Sequence, residues 1–205
     1  MCHSFGASIG AWILAFILSI FMLINSNVYG NWIPLFILTF SQIQILEAII
    51  WSNGDQNSMA TRLIVYFLLL QPLVNSLLGY VNTKQKILLY STFVYLFLLG
   101  YHHITSKNDQ FDSTIGPSGS LVWNRYHDGK KVNFFNSDII SVVYLIGLFL
   151  PFLFMVGNEK YIPIIVGLVT FIWNLKYNPQ EFGSKWCYAA VSMAVIMLIY
   201  PLIKN

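Results

Sequence analysis

The sequence predicts an all-α transmembrane protein, a polytopic helix bundle with one extramembrane β-hairpin. Of its 205 residues, 57% are hydrophobic and only 9% are charged, whereas a soluble domain carries roughly 25% charged residues. A spanning helix needs about 20 mostly apolar residues, and seven segments approach that length. They are Phe5–Ile24, Trp32–Trp51, Met59–Val81, Lys86–His102, Ile139–Val156, Tyr161–Leu175 and Trp186–Ile203. This composition excludes disorder, nucleic-acid binding and a soluble enzyme.

The spans form one bundle over residues 1–205, and the lipid bilayer is the first partner that they imply. The fifth and sixth segments are short, so six spans are the alternative. The first segment has neither a basic n-region nor a cleavage site, which indicates a retained helix. Seven spans place the termini on opposite sides of the membrane. Because Lys84 and Lys86 mark the other side as cytosolic, the N-terminal side is predicted to be extracytosolic or lumenal.

The single long connector, residues 105–138, follows the fourth span on the N-terminal side. Two strand-like runs, Ser120–Tyr126 and Lys131–Phe135, flank an Asp128-Gly129 pair. Asp-Gly between such runs is a strong hairpin signal, since glycine accepts positive φ. We expect this hairpin to fold over the end of the bundle, where it either closes a cavity as a lid or only packs.

Polar side chains inside the spans are the first candidates for a ligand pocket. Glu47 is the only acidic residue within a predicted span, and Gln44 shares its helical face. Gln71 and Asn75 share a face of the third span, and Asn174 lies near the end of the sixth. An ionisable residue within a membrane is a functional-site hypothesis by default. The alternative is that the amides form hydrogen bonds between helices.

Histidine and cysteine gather on the N-terminal side of the predicted topology. The candidates for a transition-metal site are Cys2, His102, His103 and Cys187, although no pair has the spacing of a known metal motif. A second interpretation is a Cys2–Cys187 disulfide between the first and seventh helices. The third is that these residues are buried thiols and headgroup-level histidines.

Retinal binding is rejected, because a Schiff base needs a lysine in the middle of the last span. Between Trp186 and Ile203 there is none, and Lys185 lies before this span. An alkaline-ceramidase-like zinc hydrolase is disfavoured as well, since that family's signature ends with paired histidines on a last helix that here lacks them.

Four short motifs resemble those of a group of small, uncharacterised seven-helix membrane proteins of bacteria, protists and large DNA viruses. Met1–Ser8 resembles the group's MCxSxxAS opening, and Gln71–Asn75 resembles its Q-P-x-x-N motif on the third span. Gly119–Trp123 resembles its loop hairpin, and Glu181–Cys187 the start of its last helix. His3 stands where an aromatic residue is commoner. The resemblance implies a fold and no activity. Richness in Asn and Ile suits an A+T-rich genome such as that of a large virus.

Three functions follow as hypotheses. The first is a non-catalytic receptor, transporter or channel with a polar pocket on the N-terminal side for a small ligand or ion. The second is an intramembrane enzyme in which Cys2 or Cys187 is nucleophile or metal ligand, a histidine is the base and Glu47 orients it. The third is a structural component of a membrane, for example that of a virion.

Overall fold

The fold is a helix bundle capped at one end by a small sheet. The computed structural model describes residues 4–25, 30–53, 58–127, 130–133, 138–177, 181, 184–185 and 188–204. The helices in this part of the chain are α1 (Phe5–Ile24), α2 (Trp32–Asn53), α3 (Ser58–Thr83), α4 (Lys86–Thr105), α5 (Asp138–Leu153), α6 (Tyr161–Tyr177) and α7 (Tyr188–Lys204). The strands are β1 (Phe111–Ile115), β2 (Leu121–His127) and β3 (Lys130–Asn133).

Among the described helices, α1 to α4 are long and apolar enough to cross a membrane, with 20, 22, 26 and 20 residues. The helices α5, α6 and α7 have 16, 17 and 17 residues. They rise only about 24–26 Å, less than the hydrocarbon thickness of about 30 Å. The predicted helical bundle is therefore confirmed, whereas the count of seven spans is not.

A stripe of mostly small residues lets α1 approach its neighbours. The helix begins after Ser4, whose hydroxyl accepts a hydrogen bond from the Ala7 amide at 3.2 Å. Its buried face is Ser8, Ala11, Ala15, Ser19 and Met22. In a membrane, close packing of small residues replaces the hydrophobic effect as the force that joins helices. Through this packing α1 contacts both α2 and α7.

Six of the described helices form a ring, and α4 lies outside it. In order around the ring, α1 contacts α2, α2 contacts α3, α3 contacts α5, and α5, α6 and α7 lead back to α1. The main helical contact of α4 is with α3. Aromatic rings fill the centre: Phe152 of α5 stacks on Trp32 at 5.9 Å and meets Phe36 edge-on at 5.1 Å.

The three strands form one antiparallel sheet in the order β1-β2-β3. The predicted hairpin is present as β2 and β3, with His127 opposite Lys130; residues 128 and 129 lie outside the described part. Strand β1 was not predicted. It joins β2 through a turn in which Gly119 has φ +81°, a conformation that favours glycine.

The sheet rests on the bundle at the end where α3 begins and α4 ends. Leu121 and Trp123 of β2 are buried in the main apolar core. The Ser113 hydroxyl of β1 lies 2.5 Å from the hydroxyl of Thr61, in the first turn of α3. We call this the sheet end of the bundle. By the predicted topology it lies on the N-terminal side.

Candidate ligand-binding site

A cavity of about 300 Å³ lies between α3, α4 and α5, beneath the sheet. Its lining residues are Val65, Leu68 and Leu69 of α3, Tyr95, Leu98, Tyr101, His102 and Thr105 of α4, Arg125 of β2, and Val143 and Tyr144 of α5. Along α4 the lining runs ten residues from Tyr95 to Thr105, about 15 Å. Tyr101 and Thr105 are exposed, so the cavity opens to the outer surface near the sheet end. Its size is at the lower limit for small-molecule sites, about 300–1,000 Å³.

The inner end of the cavity is closed by Tyr95. Its hydroxyl donates a hydrogen bond of 2.5 Å to the carbonyl of Val143 and so joins α4 to α5. A side chain at Gly147, one turn further along α5, would overlap the Tyr95 ring. Glycine at this position therefore permits the hydroxyl end of the Tyr95 ring to approach α5 closely, and that contact sets the inner end of the cavity.

The sheet end of the cavity is built from rings and a guanidinium. Phe111 of β1 lies opposite Arg125 of β2 in the sheet register, and the guanidinium carbon is 5.9 Å from the ring centroid. His102 meets Phe111 edge-on at 5.7 Å and Tyr66 edge-on at 4.7 Å. The Nδ1 atom of His102 lies 2.7 Å from the hydroxyl of Ser106. These contacts fix the wall on which Arg125 lies.

The two amides predicted for the third span form hydrogen bonds between helices. Gln71 is fully buried; its Oε1 accepts from the Tyr144 hydroxyl and its Nε2 donates to the carbonyl of Phe40 at 3.3 Å. Tyr144 lines the cavity, so Gln71 holds one residue of the cavity wall in position through this hydrogen bond.

Asn75 has the same kind of role one turn away. Its Oδ1 accepts from Trp32 Nε1 at 2.6 Å, and its Nδ2 donates to the Leu148 carbonyl at 2.7 Å. Asn75 thereby links α2, α3 and α5.

Gln44 and Glu47 lie on α2 and are both fully buried, so Glu47 faces the interior of the bundle. Neither side chain is among those that line the cavity. Asn174 belongs to α6, but its side chain lies outside the described part of the structure. A pocket built on these three residues stays a prediction.

The histidine pair at the end of α4 diverges. His102 is 7% exposed and turns toward Ser106, whereas His103 is exposed and its Nδ1 lies 2.9 Å from the Tyr66 hydroxyl. Successive helical residues point about 100° apart. Over the residues that the structure describes, no three His, Cys, Asp or Glu side chains are grouped to hold a metal ion. Cys2 and Cys187, and with them the predicted disulfide, lie outside those residues.

A polar cluster around Glu181 ties the sheet to the segment between α6 and α7. The Ser118 amide donates to Glu181 Oε1 at 2.7 Å, and the Ser118 hydroxyl donates to Oε2. Lys185 Nζ lies 2.9 Å from Oε2 and donates to the Ser118 hydroxyl at 2.6 Å. Glu181 is 1% exposed. Burial raises the pKa of Glu181, but the hydrogen bonds from Ser118 and Lys185 outweigh it, so the pKa lies below its ordinary value.

Sequence reasoning did not single out Arg125 or this cluster. The Glu181–Lys185 spacing of i, i+4 was a signal for an ion pair, but its partner Ser118 is 63 residues away. No family model, no curated protein and no solved structure matches the chain. The resemblance to the seven-helix group therefore stays a prediction.

Proposed function

We propose that this is a multi-pass membrane protein whose α3–α4–α5 cavity binds a small, largely apolar ligand without catalysis, as a receptor, transporter or channel does. The ligand site lies at the sheet end, which we assign to the N-terminal, extracytosolic side. All seven helices cross the bilayer in this proposal. The three shorter ones are accommodated by local thinning of the bilayer, at a modest cost for each ångström of mismatch.

The outer surface of the bundle supports the membrane assignment. Large apolar side chains face outward along α1, α4 and α6 in numbers that a soluble monomer rarely exposes. Examples on α4 are Phe93 at 59%, Phe97 at 71% and Ile104 at 85%. Such residues suit contact with lipid acyl chains.

The cavity is the single observation that carries the ligand-binding proposal. Its walls come from three helices and one strand, and interhelical hydrogen bonds through Tyr95 and Gln71 hold them. Binding sites of small molecules are typically such preformed, mainly apolar concavities with few polar groups. The predicted lid function of the hairpin is supported by Arg125, which reaches the cavity from β2.

The test is photolabelling of the full chain in lipid nanodiscs with decanol that carries a diazirine in its alkyl chain. We expect saturable labelling of α3, α4 and α5, located by peptide mass spectrometry and displaced by unlabelled decanol. Leu98→Trp fills the cavity and should abolish the displaceable fraction. Phe97→Trp is the matched control, because Phe97 faces outward. Labelling that decanol does not displace, or that Leu98→Trp leaves unchanged, would contradict ligand binding here.

A further inference from the structure

We propose that the cavity selects a single-chain amphiphilic anion, a fatty carboxylate of medium length, whose carboxylate binds Arg125 and whose chain points toward Tyr95. This inference rests on the proposed function and names its ligand class. Four observations support it: the positive charge at the sheet end of the cavity, the buried Nε–H donor of Arg125, the apolar walls of the rest of the cavity, and the volume of the cavity.

The cavity carries a positive charge at its sheet end. Arg125 is the one charged side chain among the described lining residues, and no Asp or Glu accompanies it there. Its guanidinium lies over Phe111, whose ring is 2% exposed. Arginine matches a carboxylate with two parallel N–H donors, which gives both energy and orientation. A cationic or zwitterionic headgroup would meet like charge at this position.

Arg125 also has one hydrogen-bond donor without an acceptor among the residues that the structure describes. Its Nε is buried and has no acceptor within the described part of the chain. Buried N–H groups in proteins nearly always have a partner. Because this nitrogen has almost no accessible surface, a carboxylate oxygen bound at the sheet end of the cavity would become its acceptor through a small rotation of the Arg125 side chain.

Away from Arg125 the cavity is apolar. Between the sheet end and Tyr95 its walls are formed by the aliphatic side chains Val65, Leu68, Leu69, Leu98 and Val143. The hydroxyls of Tyr95 and Tyr144 are already engaged with Val143 and Gln71. A ligand that is polar along its whole length would lose its hydration here without compensation, whereas an alkyl chain loses nothing.

The volume limits the ligand to one chain. A cavity of 300 Å³ holds about ten groups of the size of a water molecule, at about 30 Å³ each. Decanoate is therefore close to the upper size, and a phospholipid with two long chains exceeds it. The opening near Tyr101 lies on the outer face of α4, where an amphiphile dissolved in the bilayer has access.

The experiment uses the full chain in nanodiscs of zwitterionic lipid, at about pH 8 so that carboxylates are ionised. Diazirine-bearing decanoate is the probe, and unlabelled decanoate, decanol and an anionic two-chain phospholipid are competitors. We expect decanoate to compete at a concentration about ten-fold lower than decanol does, as a charge-assisted hydrogen bond implies. Arg125→Gln should bring decanoate to the level of decanol.

Three controls keep the proposal falsifiable. Labelling of Arg125→Gln by the neutral decanol probe reports that its cavity is intact, and Arg125→Lys, which keeps the charge, should retain part of the preference. Lys107→Gln removes an exposed cation of the same connector and should leave the preference for decanoate unchanged.

Equal competition by decanoate and decanol would overturn the carboxylate selectivity but would leave the proposed ligand site intact. Displacement chiefly by the two-chain lipid overturns the single-chain ligand. If no probe is displaceable, the proposed function itself fails.

Discussion

The hydroxyl of Tyr95 and the carbonyl of Val143 are joined by a hydrogen bond of 2.5 Å, and this bond connects a helix outside the ring to a helix within it. The same tyrosine ring lies against Gly147. The position of α4 relative to α5, and with it the inner end of the cavity, therefore depends on the absence of a side chain at residue 147.

Gly147→Ala is expected to displace Tyr95 and to destabilise the protein by about 1–3 kcal/mol, the usual cost of overpacking a filled interior. Gly100→Ala is the matched control, because nothing lies within 4 Å of a Cβ at Gly100 of α4. That variant should be neutral or slightly stabilising, since alanine favours a helix by about 0.5–1 kcal/mol over glycine. Thermal unfolding in nanodiscs measures both. Equal melting temperatures for the two variants would show that the contact is unimportant.

Asn75→Leu is expected to destabilise the bundle by about 2 kcal/mol, because Trp32 Nε1 loses its acceptor and an unsatisfied buried group costs about 1–3 kcal/mol. The hydrogen bond to the Leu148 carbonyl is lost as well. Asn82→Ala removes an exposed amide whose side-chain hydrogen bond, among the described residues, is to the Leu78 carbonyl of its own helix, and it should change stability little. Unfolding by denaturant in mixed micelles compares them. If Asn75→Leu is as stable as the parent, this link between three helices contributes nothing.

The Glu181 cluster should make the free energy of unfolding decrease as the pH falls into the acid range. Because the pKa of Glu181 is lowered in the folded chain, the cluster stabilises the protein above the unfolded pKa of about 4.3. This contribution is lost as the pH falls through the lower, folded-state pKa. Glu181→Gln should lower the free energy of unfolding at neutral pH by about 2 kcal/mol and flatten its acid dependence. Asp109→Asn, at an exposed position of the α4–β1 segment, is the control whose pH profile should follow the parent. A Glu181→Gln profile parallel to the parent's would exclude this role.

Epitope tags on the two termini test the proposed topology. Seven crossings place the termini on opposite sides and six place them on the same side, and the N-terminal side is proposed to be extracytosolic. Antibody should therefore bind an N-terminal tag in intact cells and a C-terminal tag only after permeabilisation. A cytosolic marker protein controls for leakage. Detection of both tags without permeabilisation would favour six spans, and the reverse pattern would invert the orientation.

The sequence predicted the long helices well because an apolar run of about 20 residues is a strong signal for a helix long enough to span a membrane. The predicted span Phe5–Ile24 coincides with α1, and the other predicted starts of α2 to α4 lie within one residue of those observed. Strand β1 was missed because its residues, Phe111–Ile115, alternate only briefly and form a strand by pairing with β2. Pairing of this kind is a tertiary effect that local sequence does not encode.

The cavity was not predicted from the sequence, since polarity was taken as the signal of a ligand site. Neither Gln71 nor Asn75 is among the described residues that line the cavity, and both are engaged in hydrogen bonds between helices. The cavity walls are leucine, valine and tyrosine, which in a membrane sequence look like any other lipid-facing or core residue. Arg125 could not be assigned to the cavity from its position in a hairpin strand, because that placement follows from how the sheet docks on α3.

The peripheral position of α4 has a consequence for traffic into the cavity. The other six described helices contact one another in a closed circuit, while α4 leans on that circuit chiefly through α3. We expect small outward excursions of this one helix to widen the entrance near Tyr101 without separating any pair of helices in the circuit. In the proposed function, the ligand would then exchange without loosening the bundle, and it would enter sideways from the bilayer instead of from the aqueous phase.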